Sequence, residues 1–511
     1  MSDDVTGDVS AGMEPDTTTT GLHDVLRAAT AAADLAAESD PGTRARWLRA
    51  VADALDAAAP VLVPLARRES RLPDARLAGE LARTTAQLRL FASVALEGSC
   101  LEATIDHPDP EGVPPVPDLR RMLVPLGVVA VFAASNFPFA FSVAGGDTAS
   151  ALAVGNAVVV KAYPGHLELS RATAEVVVSA LDAAGAPSGL FAVVEGFDTG
   201  VALVEHPAVR AVGFTGSVPG GRALFDRAAR RPDPIPFHGE LGSLNPVVVT
   251  RGALSARGPE LAAGLAASFT LGAGQFCTKP GLVAVPASSE FDAALVAAVP
   301  EQAAPMLTPG IRAGFAARAA QVLAVAGVRV LTGRPPAGSG GDDGPVLPLV
   351  VEADVATVLG ATDMLLEEAF GPLTVLVRYA DEGELAALVA ALPGSLTATI
   401  HAEGDEDVDG LVRACRAVAG RVLFEGWPTG VAVSWAQHHG GPYPATTSQH
   451  TSVGATATRR WLRPVAYQDA PQHRLPPPLR DHDPWGVVRR VDGVLQVPAA
   501  NGGDAAPGAA G

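Results

Sequence analysis

The chain has 511 residues, 48% of them hydrophobic and 18% charged, and a formal net charge of -18. That length exceeds what one hydrophobic core organises, so two or three structural units are expected. The acidic balance argues against nucleic acid as a general partner, because phosphate binding needs a basic face, and the lack of any apolar run near about eighteen residues argues against a membrane span.

Residues 1–20 are rich in Asp, Gly and Thr and read as a disordered tail. Met1-Ser2-Asp3-Asp4 leads into no apolar stretch, so no secretory signal is expected. Ala, Leu and Arg recur at helical spacing from Leu22 to Leu96, with breaks at Pro41-Gly42 and Leu72-Pro73. Asp106 to Asp118 holds five prolines and reads as an irregular or edge connection. Strands are expected at Val128–Phe132, Ala157–Val160, Phe191–Val194 and Val209–Phe214, with helices at Gly146–Ala153, Glu168–Ala184 and Pro219–Arg230 between and after them. That alternation predicts an α/β fold with a doubly wound parallel sheet that binds ligands at its carboxyl edge.

A second α/β portion starts with the strand Val247-Val248-Val249 and a helix ending near Leu271, and it runs to about Phe424. Beyond it the chain is irregular, and strand-like pieces near Val465 and Val487 are expected to form a small hairpin used for oligomerisation. The resulting plan is a dinucleotide-binding domain over 21–240, with 106–124 as an irregular excursion, and a catalytic domain over 241–430. A return and oligomerisation segment over 431–496 and a flexible tail over 497–511 complete it.

The leading nucleophile is Cys277, which ends the run Gly272-Ala273-Gly274-Gln275-Phe276-Cys277. Glycine lets such a loop turn sharply and approach a ligand, although cysteine also serves as a small buried hydrophobe. The other two cysteines, Cys100 and Cys415, lie in helix-like sequence, and three thiols without a Cys-x-x-Cys spacing fit a reducing cytoplasm. The only lysines are Lys161 and Lys279. In Gly213-Phe214-Thr215-Gly216-Ser217-Val218-Pro219-Gly220-Gly221 a strand meets a helix, with Ser217 placed to cap it and Pro219 just inside. A helix N-terminus of this kind suits a pyrophosphate.

Together these segments resemble the aldehyde dehydrogenase superfamily. The similarity is carried by Pro125-Leu126-Gly127 with Ala134-Ser135-Asn136-Phe137-Pro138, by Val160-Lys161-Ala162 and by Phe214-Thr215-Gly216-Ser217. It continues in Glu240-Leu241-Gly242-Ser243-Leu244-Asn245-Pro246, Gly274-Gln275-Phe276-Cys277 and Glu367-Glu368-Ala369-Phe370-Gly371-Pro372. Pieces such as Phe141-Ser142-Val143-Ala144-Gly145-Gly146-Asp147 and Gly440-Gly441-Pro442-Tyr443-Pro444-Ala445-Thr446 are similar to one branch, the α-ketoglutaric semialdehyde (2,5-dioxopentanoate) dehydrogenases. Relatives acting on longer aliphatic aldehydes share much of that pattern.

The resemblance implies oxidation of a small aldehyde to a carboxylic acid through a thiohemiacetal and a thioester on Cys277. Asn136 and the Cys277 backbone N–H would form the oxyanion hole. Glu240, otherwise readable as an ordinary surface glutamate, would activate water as a carboxylate held near neutral poise. Gly213, Thr215, Gly216, Ser217 and Gly220 would border the pyrophosphate, and Lys161 the adenosine ribose. Glu368 would hold the nicotinamide ribose, with Phe370 beside the ring or merely in the core. Pro164 stands where many NAD-preferring relatives carry an acid, so NADP is expected, with NAD as the alternative, and a homodimer or homotetramer is implied.

Lys279 departs from the branch pattern and is open to three readings: it lowers the Cys277 pKa, binds a substrate carboxylate, or points to solvent. His438-His439 lacks a nearby third ligand in sequence, so no metal is assigned. Functions from other classes are a cofactor-free cysteine acyltransferase or thioesterase and a catalytically silent binding protein.

Overall fold

The computed structural model describes residues 17–336 and 344–498. It opens with helices α1 (Thr19–Ala37), α2 (Pro41–Ser70) and α3 (Asp74–Glu97), separated at the breaks expected from the sequence. Asp40 caps α2 by accepting the Thr43 N–H, and Pro41 sits in the first turn, where its missing N–H costs nothing. Leu48, Val51 and Leu55 of α2 and Leu77, Leu81 and Leu88 of α3 recur at helical spacing and are buried. The stretch read as a tail extends too far by four residues. Thr18 caps α1, its hydroxyl accepting the Gly21 N–H at 3.1 Å, and the Thr17 N–H donates to the Glu195 carbonyl at 3.2 Å. The rest of that tail, and the end of the second one, lie outside the described residues.

Strands β1 (Ala103–Asp106) and β2 (Leu119–Pro125) flank the proline-rich connection, within which Asp109 and Val116 form an isolated bridge. The first large sheet then assembles from β3 (Val128–Phe132), α4 (Gly146–Ala153), β4 (Ala157–Lys161), α5 (Leu167–Ala183), β5 (Phe191–Val194), α6 (Phe197–Glu205), β6 (Val209–Thr215), α7 (Val218–Arg230) and β7 (Phe237–Glu240). Its order is β5-β4-β3-β6-β7, all parallel. The Val and Ala side chains of β3 and β4 are buried on both faces, as a sheet covered by helices on each side requires. The order reverses between β3 and β6, which opens a crevice at their carboxyl ends.

The second sheet contains β8 (Val247–Val249), followed by α8 (Arg251–Thr270), then β9 (Leu282–Val285), β10 (Arg329–Gly333), β11 (Leu349–Asp354), β12 (Leu373–Arg378), β13 (Ser395–His401) and β14 (Ala419–Phe424). It runs β10-β11-β12-β9-β8-β13-β14, with only β10 antiparallel to its neighbour.

The return segment departs from the expected hairpin. Val465 lies in β15 (Leu462–Gln468), which pairs antiparallel with β2, opposite Met122. Val487 is outside any strand, buried in a small core with Leu101 and Leu479. The hairpin is instead β16 (Arg489–Val491) with β17 (Val494–Gln496), and β16 runs parallel to β1. Local β-pattern indicates that a strand exists; the free edges of β1 and β2 decide its partner. Among the described residues no helix is long and apolar enough to cross a membrane.

Candidate active site

The carboxyl edge of the first sheet gathers most of the residues singled out from the sequence. Asn136 follows the end of β3, and Lys161 ends β4 in register with Phe132. Thr215 and Glu240 end β6 and β7 as register partners, and the Gly216 N–H donates to the Glu240 carbonyl at 3.0 Å. The second sheet contributes its opposite edge: the Cys277 loop precedes β9, and Glu368–Phe370 precede the adjacent β12. The Asn136 side-chain amide joins the two edges by donating to the Gln275 carbonyl at 3.0 Å.

The nucleophile loop winds through the left-handed region at Gly272, Ala273 and Gly274, with φ of 58°, 55° and 66°. A Cβ on Gly274 would lie 2.3 Å from the Gly371 carbonyl oxygen, so the loop can approach the segment before β12 only with glycine there. Ala273 has no such excuse and carries about 1 kcal/mol of backbone strain. Asn245, at φ 50° and fully buried, holds the loop from below. Its Nδ2 donates to the carbonyls of Cys277 at 2.8 Å and Lys279 at 3.0 Å, while Oδ1 accepts from Ser243 at 2.7 Å and Thr397 at 3.1 Å. Sequence reasoning gave Asn245 no role; its tolerance of left-handed backbone was the available signal.

Lys279 fits none of its three readings. Its ammonium is buried and donates to the Ala369 carbonyl at 3.0 Å and the Leu373 carbonyl at 2.7 Å, stapling the nucleophile loop to the segment that carries Glu368. Burial pulls its pKa down while the Glu368 carboxylate opposes that shift.

His439, set aside as half of an unremarkable pair, lies at the centre of the chemistry. Its Nε2 is 3.5 Å from Cys277 Sγ and 2.9 Å from Glu240 Oε1. Ser452 donates to Glu240 Oε2 at 2.9 Å. The 439–452 segment reaches this point by pairing beside β7: the Leu241 N–H donates to the Ala445 carbonyl at 2.8 Å and the Thr447 N–H to the Gly239 carbonyl at 3.0 Å. Among the described residues the ligand atoms of Glu240, Cys277 and His439 lie within 4.8 Å of one another. An ion among them would have to displace the His439–Glu240 hydrogen bond, which is shorter than the spacing of two ligand atoms around zinc.

The electrostatics correct one expectation. Glu240 is not held near neutrality: burial pushes its carboxyl up, but the His439 charge and the hydrogen bonds from His439 and Ser452 outweigh burial and bring it below the ordinary range. Glu240 therefore stays ionised. Burial, followed by the charge of Glu240, pushes the Cys277 thiol well above its usual value, with Arg83 acting in the opposite direction. Cys277 thus rests as a thiol that needs a base; His439 Nε2 donates its N–H to the ionised Glu240 and has no lone pair to offer, so the Glu240 carboxylate, hydrogen-bonded to the thiol, is the acceptor within reach.

On the other side of the nucleophile, Ser217 caps α7 by accepting the Gly220 N–H at 3.3 Å. Gly216, Ser217 and Gly220 are exposed at the crevice, so the helix terminus is open to an anion. Gly213 is accounted for by packing, since a Cβ there would lie 2.5 Å from Asp147 Oδ2 and 2.9 Å from Trp461. Glu368 accepts the Ser243 N–H at 3.3 Å, and Phe370 beside it is half-buried. An exposed helix N-terminus at a switch point, an ammonium two strands away on β4 and a carboxylate across the crevice fit a dinucleotide.

Glu80 of α3 is a buried carboxyl whose Oε1 accepts the N–H groups of Phe139 at 2.8 Å and Ala140 at 3.0 Å. Burial raises its pKa to about 7. An unfolded glutamate ionises near about 4.3, so between these values the fold binds the extra proton and this group's contribution to stability falls as pH rises. Glu80→Gln keeps the acceptor and removes the titration. Its urea midpoint should match the wild type near pH 4 and exceed it at pH 8 by an amount worth about 3 kcal/mol; a difference independent of pH would refute this.

Residues 2–443 match the family model described as the aldehyde dehydrogenase family. The chain is 44% identical over 460 residues to alpha-ketoglutaric semialdehyde dehydrogenase 2 of Azospirillum brasilense, covering 88% of this chain and 87% of the relative. It is 43% identical over 464 residues to the alpha-ketoglutaric semialdehyde dehydrogenase of Acinetobacter baylyi, with the same coverage. Among solved structures, 3,6-anhydro-L-galactose dehydrogenase in complex with NAP superposes with a TM-score of 0.75 at 21% identity, over 89% of this chain and 92% of that one. Proline utilization A of Bradyrhizobium japonicum gives 0.75 at 23% identity, over 89% of this chain and 45% of that longer one. These two likenesses concern the fold.

Proposed function

The chain belongs to the aldehyde dehydrogenase family, and from that premise we propose that it oxidises α-ketoglutaric semialdehyde (2,5-dioxopentanoate) to 2-oxoglutarate with NADP, or alternatively NAD. The observation that carries the chemistry is the line Cys277–His439–Glu240, with separations of 3.5 Å and 2.9 Å at one imidazole nitrogen.

Glu240, ionised and hydrogen-bonded to the thiol, takes the Cys277 proton and passes it to solvent, while the His439 Nε2–H and the Ser452 hydroxyl hold the carboxylate in place. The thiolate adds to the aldehyde carbon, and the oxygen that gains charge is met by the Asn136 amide and the Cys277 backbone N–H. Gly216, Ser217 and the start of α7, with Lys161, Glu368 and Phe370, would hold the dinucleotide, which when bound supplies the hydride acceptor. Departure of hydride from the substrate carbon leaves a thioester on Cys277. Glu240 then takes a proton from water as that water attacks the thioester, and the acid leaves with Cys277 restored. A carboxylate at this position favours hydrolysis over acyl transfer to a thiol carrier.

The substrate reading is supported by relatives at 43–44% identity across most of the chain. NADP is favoured because Pro164 stands where an acid would repel a 2'-phosphate. The exposed apolar side chains of Val494, Leu495 and Val497 at the end of the small sheet fit association with a second copy, in a cytoplasmic homo-oligomer. Initial rates with NADP, for the semialdehyde and for pentanal at equal concentration, test the proposal. The semialdehyde should be faster; turnover of pentanal alone would leave the chemistry and remove the substrate.

A further inference from the structure

One face of α3 is polar where a helix packed into a protein should be apolar. Arg76, Glu80, Arg83 and Gln87 are spaced by four, three and four residues, one above another on the helix. The row is turned toward the active site. Arg76 donates to the Asn136 carbonyl at 2.8 Å, and its guanidinium lies 4.7 Å from the Phe276 ring, next to the nucleophile. The Arg83 guanidinium is 5.3 Å from the Phe141 ring, which is 6.3 Å from the His439 ring. Gln87 Nε2 approaches Gly146, beside the Ser452 carbonyl.

Each of these four side chains has a buried polar atom without a partner among the described residues: Arg76 Nη1, Glu80 Oε2, both terminal nitrogens of Arg83, and Gln87 Nε2. Buried polar groups are normally paired, and a guanidinium with both ends unmet is a costly exception. Nearly all of the unmet capacity is N–H, which calls for an oxygen-rich, negatively charged ligand. The planar fork of arginine matches a carboxylate. Burial lowers the Arg83 pKa, and the charges of Glu80 first and then of Cys277 and Glu240 oppose that shift, so the guanidinium stands within electrostatic range of the reacting atoms.

We propose that Arg83 binds the carboxylate at the far end of the substrate and thereby selects aldehydes that carry one. The inference rests on the substrate reading above and names the group that enforces it. In a 2,5-dioxopentanoate the carboxylate carbon is four bonds from the aldehyde carbon, so a thiohemiacetal on Cys277 projects its oxo-acid end away from the sulfur, toward the row on α3. Gln87, one turn beyond Arg83 on the same face of α3, is the neighbour placed to meet the 2-oxo group.

The test compares the full-length wild type with Arg83→Met and Arg83→Lys. kcat/KM is measured for the semialdehyde and for pentanal, together with the pH profile of Cys277 alkylation by iodoacetamide. For the semialdehyde, Arg83→Met should lose roughly 100-fold to 1000-fold, mostly in KM, as expected when one partner of a buried charge pair is removed. Pentanal turnover should stay within about threefold, because a neutral tail makes no ion pair, and the alkylation profile should shift up only slightly, because Arg83 is the weakest of the influences on the Cys277 thiol. Arg83→Lys should fall between, and decides the matter if the methionine variant does not fold. Equal losses on both substrates with a large shift of the alkylation profile would assign Arg83 to the thiol and overturn the proposal. Unchanged discrimination in variants of an enzyme that does prefer the semialdehyde would also overturn it while leaving the substrate reading intact. A wild type with no such preference would remove both.

Discussion

Cys277→Ala is expected to abolish aldehyde-dependent formation of reduced cofactor, a loss of at least about 10,000-fold, as when the nucleophile of a covalent mechanism is deleted. No other thiol can substitute. Burial pushes Cys100 up to about 12 and Cys415 up to about 11, and each sits in or beside a helix away from the carboxyl edge of the first sheet. Dinucleotide affinity, read by fluorescence titration, should be retained, because the proposed binding residues lie at the ends of β4 and β6 and before β12. Retained turnover above about one per cent would exclude the covalent route. Lost cofactor affinity would mean that the substitution had collapsed the loop held by Asn245.

Glu240→Gln should slow both halves of the reaction, because one carboxylate is the base first for the thiol and then for water; no burst of reduced cofactor should appear, and the steady state should fall by about 100-fold to 10,000-fold. A full burst of one equivalent per site would show that another group activates the thiol. His439→Gln, which leaves the carboxylate in place, should slow turnover less. Because the two side chains share one hydrogen bond, the double variant should lose less than the product of the single losses. The sign of the pH effect follows from the environment: a carboxyl held below its ordinary range keeps its base form until the pH falls beneath the usual carboxylate values. The acid limb of the wild-type profile should therefore not belong to Glu240, and a limb near neutrality that vanishes in Glu240→Gln would contradict this assignment.

Much of this was legible along the chain. The βα alternation from Val128 to Arg230 identified the doubly wound sheet, since buried parallel strands are written as short unbroken apolar runs and their helices as capped amphipathic ones. Ser217 and Pro219 marked the start of α7 to within a residue because capping is local chemistry. Gly272 and Gly274 flagged Cys277, and three left-handed residues in succession are what those glycines make possible.

The rest depended on which distant segments meet. His439 and Glu240 are 199 residues apart, and nothing beside His438-His439 in the sequence distinguishes a buried carboxylate partner from an exposed pair. Lys279 stays open to three readings in the sequence until the carbonyls of Ala369 and Leu373 are seen to receive it. The row on α3 has correct helical spacing but carries polar residues where periodicity expects apolar ones, so only the packed structure shows that it faces a site. Sequence by itself determined the elements and pointed to Cys277 as the candidate nucleophile, because turns, caps and periodicity act over a few residues. Tertiary structure alone decided what surrounds Cys277, the state of Glu240 and the unmet donors on α3, because hydrogen bonds and desolvation depend on what the fold brings within a few ångströms.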